Sequence, residues 1–108
     1  MKLAIVILNF NGLDDTLACL DSIKKLIDDD IGVETIVVDN FSSDGSREAL
    51  PKIKDIVIVQ NQDNLGYAGG NNVGIKYALK RGADSVLILN NDTIVDPKFM
   101  QNFVKTLD

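Results

Sequence analysis

Four apolar runs, each ending in polar residues, set the pattern of this chain. Residues 3–8 lead into Asn9-Phe10-Asn11, residues 35–38 into Asp39-Asn40, residues 55–60 into Asn61 to Asn64, and residues 85–89 into Asn90-Asn91-Asp92. Short apolar runs bounded by turn residues read as buried strands. Between them, apolar residues recur at helical spacing. The first helix is predicted over residues 13–27, where Leu13, Leu17, Leu20, Ile23 and Ile27 form one stripe, and Asp14 and Asp15 suit the positive end of the helix dipole. Asp28-Asp29-Asp30 then reads as a solvated turn, with Gly32 supplying the bend. After the second strand, at residues 35–38, a turn-and-cap cluster from Ser42 to Ser46 precedes a short helix over residues 47–50, which Pro51 ends. Strand three, residues 56–59, runs into a long polar and glycine-rich loop over residues 61–72. A third helix follows with Val73, Ile75, Tyr77, Ala78 and Leu79, ending near Gly82. Asp96-Pro97 is a helix start, Asp as cap and Pro at the first helical position. Phe99, Met100, Phe103, Val104 and Leu107 give that last helix an apolar face, which needs the sheet, a second half of the domain or a partner chain to cover it.

Alternating strands and helices imply right-handed crossovers and a mostly parallel, Rossmann-like α/β sheet. In such open sheets ligands bind in the crevice outside the carboxyl ends of the strands, so the four polar strand ends predict one composite site. Within it, Asp92 reads either as the cap of the next turn or as a hard oxygen ligand for magnesium or manganese, which bind through one or two carboxylates plus substrate phosphates. Asp39 has the same two readings, or it accepts hydrogen bonds from a nucleotide's base or sugar. The stretch from Asn64 to Gly74 is dense in Gly and Asn, which allows close approach of a ligand to the backbone, and the following helix start offers free N–H groups to an anion. Its glycines, at positions 66, 69, 70 and 74, fit neither G-x-G-x-x-G nor a Walker loop.

Size and composition narrow the choice. The 108 residues make one domain at most, and 45% hydrophobic with 25% charged residues is ordinary for a globular chain. The longest apolar run is about six residues, far short of the roughly 20 that span a membrane. Met1-Lys2 opens directly on a strand, without the apolar segment of a signal peptide, which predicts a cytoplasmic location or one at the cytoplasmic face of a membrane. The single cysteine, Cys19, excludes an internal disulfide or a cysteine zinc site and reads as a packing residue of the first helix. A net charge of −5 argues against nucleic acid as the main partner, and the absence of histidine removes the commonest general base, leaving any acid–base chemistry to carboxylates.

Four segments together carry a resemblance: residues 6–12, ending Asn9-Phe10-Asn11-Gly12; residues 37–46, with Asp39-Asn40-Phe41-Ser42-Ser43-Asp44-Gly45-Ser46; residues 64–74; and Leu89-Asn90-Asn91-Asp92. In order and spacing they resemble glycosyltransferase family 2, in its N-terminal, nucleotide-sugar-binding half, and most nearly its rhamnosyltransferase-like members. The resemblance implies a glycosyltransferase A fold with a UDP-, dTDP- or GDP-sugar lying across the strand ends. It implies that Asn9, Phe10 and Asn11 line the nucleotide pocket, that Asp39 hydrogen-bonds the base, that Gly66 is among the nucleotide-sugar-binding residues, and that Asn71 stands near the diphosphate where many relatives have Arg. Leu89 to Asp92 corresponds to the family's Asp-x-Asp motif, with Asn90 in place of the first Asp, Asn91 near the ribose and Asp92 as ligand to Mg2+ or Mn2+. The implied reaction is inverting transfer to a hydroxyl of a saccharide or lipid-linked acceptor, in polysaccharide or cell-wall synthesis. The family's catalytic base lies beyond residue 108, and no residue here matches it. The alternatives are a sugar-phosphate nucleotidyltransferase, which would carry a glycine-rich basic loop after strand one that Asn9-Phe10-Asn11-Gly12-Leu13 lacks, and a non-catalytic nucleotide-sugar-binding or interaction module. An uncovered sheet edge and last helix predict self-association.

Overall fold

The computed structural model describes residues 2–25, 32–98, 102, 103 and 105. Four strands form one parallel sheet: β1 (Lys2–Asn9), β2 (Gly32–Asp39), β3 (Val57–Gln60) and β4 (Ser85–Asn90), in the order β3-β2-β1-β4. Helix α1 (Leu13–Lys24) joins β1 to β2, α2 (Ser46–Ala49) with a 3-10 turn (Leu50–Lys52) lies between β2 and β3, and α3 (Gly66–Lys80) joins β3 to β4. The register sets Asn9 beside Asp39, Asp39 beside Gln60, and Leu8 beside Asn90, so the polar strand ends share one edge.

Alternation along β1 sends its side chains into two cores, as expected of a strand covered on both faces. On one face Leu3, Ile5 and Ile7 pack with Val37, Leu89 and, from α1, Cys19, Leu20 and Ile23. Ala4 and Val6 pack on the other with Ile36, Val38 and Ala78 of α3. Complete burial of a side chain such as Ile5 or Ile7 contributes about 2 kcal/mol. Val95 and Phe103 join the α1-side core after β4. Pro97 and Lys98 are helical and Asp96 Oδ1 accepts from the Lys98 N–H at 2.7 Å, the cap that Asp96-Pro97 predicts.

Several boundaries differ from the sequence reading. α3 begins at Gly66, seven residues before Val73, so most of the predicted loop is helix. The glycines that argued for a loop are there for close packing: a Cβ on Gly70 would collide with Leu8, and one on Gly74 with Val6 and Val38. Gly32 starts β2 instead of bending the chain, β3 ends at Gln60, one residue late, and α2 starts at Ser46 and passes into the 3-10 turn that contains Pro51. In α1 the predicted stripe is rotated: Leu17 is exposed while Thr16 and Ser22 are buried. Both have partners inside, Thr16 in Asn9, and Ser22 in the Cys19 carbonyl and the Val95 N–H. Ile27 and Asp28-Asp29-Asp30, and Phe99, Met100, Val104 and Leu107 of the last apolar face, lie outside the described residues.

Candidate functional site

The strand order reverses between β1 and β4, because the chain moves from β1 outward to β2 and β3 and then returns to the other side of β1. The carboxyl ends of strands flanking such a switch point diverge and leave a crevice. A cleft of about 420 Å3 lies there, lined by Leu8, Phe10, Asn40, Asn64, Gly66, Tyr67, Leu89, Asn90, Asn91 and Asp92. Phe10 is 47% exposed, an aromatic face left open to the cleft. Tyr67, in the first turn of α3, donates its hydroxyl to Asn90 Oδ1 at 3.1 Å, which ties the start of that helix to the end of β4. Asp92 is exposed in the turn after β4. Its negative charge is still felt below: burial first, and then Asp92, push the Cys19 thiol up to about 11, so that cysteine stays a protonated packing residue.

Of the residues expected at the site, Phe10, Gly66, Asn91 and Asp92 line this cleft. Asn9 and Asp39 lie beneath it, fully buried. Asn9 Nδ2 donates to Asp39 Oδ1 at 2.8 Å and to Ser42 Oγ at 3.3 Å, Ser42 Oγ donates to Asp39 Oδ1 at 2.6 Å, and the Ser42 N–H donates to Asp39 Oδ2 at 3.1 Å. Asn11 turns toward the β2–α2 loop, its Oδ1 accepting from the Ser43 N–H at 2.7 Å. Asn71 is buried in α3 outside the cleft lining, and its Oδ1 has no hydrogen-bond partner in the structure.

Sequence reasoning missed the residues that fix the walls. Asn40 Oδ1 accepts from Asn61 Nδ2 and the Leu65 N–H, while its Nδ2 donates to Asn64 Oδ1 and the Gly66 carbonyl, so one amide holds the whole entry to α3. Thr16 could have been found: it lies three residues after Leu13 and four before Leu20, a polar residue on an apolar face, which calls for a specific partner.

The chain matches the model of glycosyl transferase family 2 over residues 4–108. It belongs to that family. Over 92 residues it is 40% identical to the low-salt glycan biosynthesis hexosyltransferase Agl10 of Haloferax volcanii, a match covering 83% of this chain and 27% of the relative. A poly-beta-1,6-N-acetyl-D-glucosamine synthase of Staphylococcus aureus is 36% identical over 107 residues, covering 85% of the chain and 25% of the relative. The chain thus spans about a quarter of the length of these relatives, and neither name bears on the rhamnosyltransferase-like flavour. Among solved structures, S. aureus TarS 1-349 in complex with UDP-GlcNAc superposes with a TM-score of 0.82 at 22% identity, covering 100% of this chain and 31% of that one. The mannosyltransferase PcManGT from Pyrobaculum calidifontis, in complex with GDP-Man and Mn2+, gives 0.81 at 23% identity, covering 97% and 32%. The family 2 chain therefore has the glycosyltransferase A fold.

Proposed function

We propose that this chain is the donor-binding part of an inverting glycosyltransferase that takes a nucleotide diphosphate sugar in the cleft between β1 and β4. The observation that carries the reading is the convergence of Phe10 and Asp92 on one cleft at the topological switch point, in a family 2 chain. Phe10 offers a stacking face for a base. Relatives of the same fold whose structures hold UDP-GlcNAc or GDP-Man with Mn2+ support a donor of that class.

The donor set suits a divalent cation. Among the described residues no three carboxylate or cysteine groups stand together, so the protein's share of a coordination shell is one carboxylate, Asp92, beside the neutral amides of Asn90 and Asn91. That is the arrangement Mg2+ and Mn2+ accept when they keep waters and take phosphate oxygens as well. A cation held there supplies charge neutralisation for the departing diphosphate. This chain's own residues bind and orient: Phe10 the base, the first turn of α3 the phosphates through its free N–H groups, Asn91 the ribose. No catalytic base is assigned among these 108 residues, so donor binding without efficient sugar transfer is the expected behaviour of the chain alone. The reading carries with it a cytoplasmic setting and an acceptor hydroxyl on a saccharide or lipid-linked glycan.

Calorimetric titration with UDP, dTDP and GDP, each with and without Mn2+, tests it. Metal-dependent binding of one nucleotide supports the donor site and names the base. No binding to any of the three removes the reading for this chain.

A further inference from the structure

The hydrogen bonds beneath the cleft run in one direction. Asn91 Nδ2 donates to Thr16 Oγ1 at 3.3 Å and to the Gly12 carbonyl at 3.4 Å. Thr16 Oγ1 donates to Asn9 Oδ1 at 2.7 Å, and Asn9 Nδ2 donates to Asp39 Oδ1 at 2.8 Å. Asp39 uses both oxygens as acceptors, so it fixes the sense of everything attached to it. Asn9 must turn its nitrogen to Asp39 and its oxygen to Thr16. Thr16 must then spend its only proton on Asn9, leaving a lone pair for Asn91. The last amide in the series is thereby held nitrogen-inward, with its oxygen on the side away from α1, and Asn91 lines the cleft. Thr16, Asn9 and Asp39 are each fully buried, which keeps competing water from resetting the order. Gly12 belongs to the same device: a Cβ there would stand 2.5 Å from Asn91 Nδ2 and push the amide off its seat.

We infer that Thr16 is a positioning residue of the donor site: through its hydroxyl the buried Asp39 at the end of β2 sets the amide of Asn91 so that a carbonyl oxygen, and not an N–H, faces the ligand. An oxygen so placed adds to the shell of a cation beside Asp92 as well as accepting from a ribose hydroxyl, and it repels neither. The flipped amide would present N–H groups to a cation, which is unfavourable. This inference rests on the reading of the cleft as a nucleotide-sugar site, and it couples the β2 end of that site to the β4 end through Asn9 and Thr16.

Thr16→Val removes the hydroxyl at nearly constant shape, and Thr16→Ser restores it. Two readouts decide: the side-chain amide signals of Asn91 and Asn9 in 1H–15N spectra of the free chain, and the affinity for UDP and for GDP with and without Mn2+. In Thr16→Val the Asn91 signal shifts, and the Mn2+-dependent gain in affinity falls about fivefold, the weight of one hydrogen bond, with a smaller change in metal-free binding. Thr16→Ser returns both to the parent values. An unmoved Asn91 signal, an undiminished Mn2+ gain, or a Ser variant that behaves like Val overturns the assignment. Should Thr16→Val not fold, Asn91→Ala at the half-buried end of the series takes its place; it is expected to lose the same gain, and retention of the gain overturns the inference. If the parent chain binds none of UDP, dTDP and GDP, the donor-site reading falls by itself, and the Asn91 signal alone decides the series from Asn91 to Asp39.

Discussion

The two ends of the sheet handle polar groups in opposite ways. At the amino end, charges pair in contact with solvent: Glu34 takes Arg81 Nε and Nη2 at 2.6 Å each, Lys2 Nζ stands 3.8 Å from the same carboxyl, and the Lys2 N–H donates to Asp84 Oδ2 at 2.8 Å. At the carboxyl end no ion pair forms among the described residues, and hydrogen bonds do the holding. Neutral amides and hydroxyls of Asn9, Thr16, Asn40, Ser42 and Asn61 satisfy one another around the buried Asp39, and Asp92 is left exposed above them. Ion pairs in water hold the chain with little dependence on any one partner, because water replaces what is lost. A closed buried network has no such substitute, and its rigidity is what a binding site needs in the layer beneath its contact residues.

The sharpest way to break this comparison is at Asn9. Replacing it with Leu keeps the size but leaves Asp39 and Thr16 short of partners in the interior, a loss of about 3 kcal/mol in chemical denaturation. A loss of only about 0.5 kcal/mol, the range of ordinary surface substitutions, would mean that water reaches the network and that the two ends do not differ in kind. Asp92→Ala probes the open part of the same end. Its stability should stay within about 0.5 kcal/mol of the parent, while the Mn2+-dependent gain in nucleoside diphosphate affinity disappears, about a tenfold change by calorimetry. An unchanged gain would take Asp92 out of the site.

A smaller effect is expected at Phe10. Loss of its ring should weaken nucleotide binding about fivefold, with or without metal, the lower part of the range for base stacking on an aromatic side chain. Metal independence separates it from Asp92: a Phe10→Ala variant that loses binding only when Mn2+ is present would place the ring by the cation instead of by the base.

The parallel sheet and its ligand-bearing edge were legible because four apolar runs ending in Asn or Asp say both where the strands are and which ends carry the polar groups. The cleft's own lining was half legible: Phe10 and Asp92 stand at strand ends, where the crevice rule points. Asn9 and Asp39 also stand at strand ends, yet they turn inward, and no periodicity distinguishes an Asn that faces a ligand from one that faces another Asn. The start of α3 was misread for a physical reason. Glycine lowers intrinsic helix propensity by about 1 kcal/mol per residue, so Gly66, Gly69, Gly70 and Gly74 argue for a loop, but the sheet surface formed by Val6, Leu8 and Val38 leaves no room for a Cβ at positions 70 and 74. Packing overrode propensity, and that information is tertiary. Leu17 was misplaced for the converse reason: the hydrogen bond between Thr16 and Asn9 takes the position on the sheet that hydrophobicity alone would give to a leucine.

The smallest effect belongs to the amino end and concerns pH. The Arg81 guanidinium, chiefly through its hydrogen bonds and then through its charge, with Lys2 adding to it, holds the Glu34 carboxyl below its ordinary value of 4.5 against the opposing pull of desolvation. A carboxyl whose folded value is depressed binds protons more weakly in the native chain than in the unfolded one. Its contribution is therefore complete above 4.5 and is lost as the pH falls through the lower, folded value. Glu34→Gln removes that dependence without removing the side chain's reach. Melting temperatures of the parent and of Glu34→Gln should differ slightly at neutral pH and converge as the pH drops below 4.5. Curves that stay parallel would show that the pair adds nothing to folding. Both outcomes leave the carboxyl end untouched, since Glu34 lies near the start of β2 and Asp39 at its end, and nucleotide affinity measured at neutral pH should be the same in the two chains.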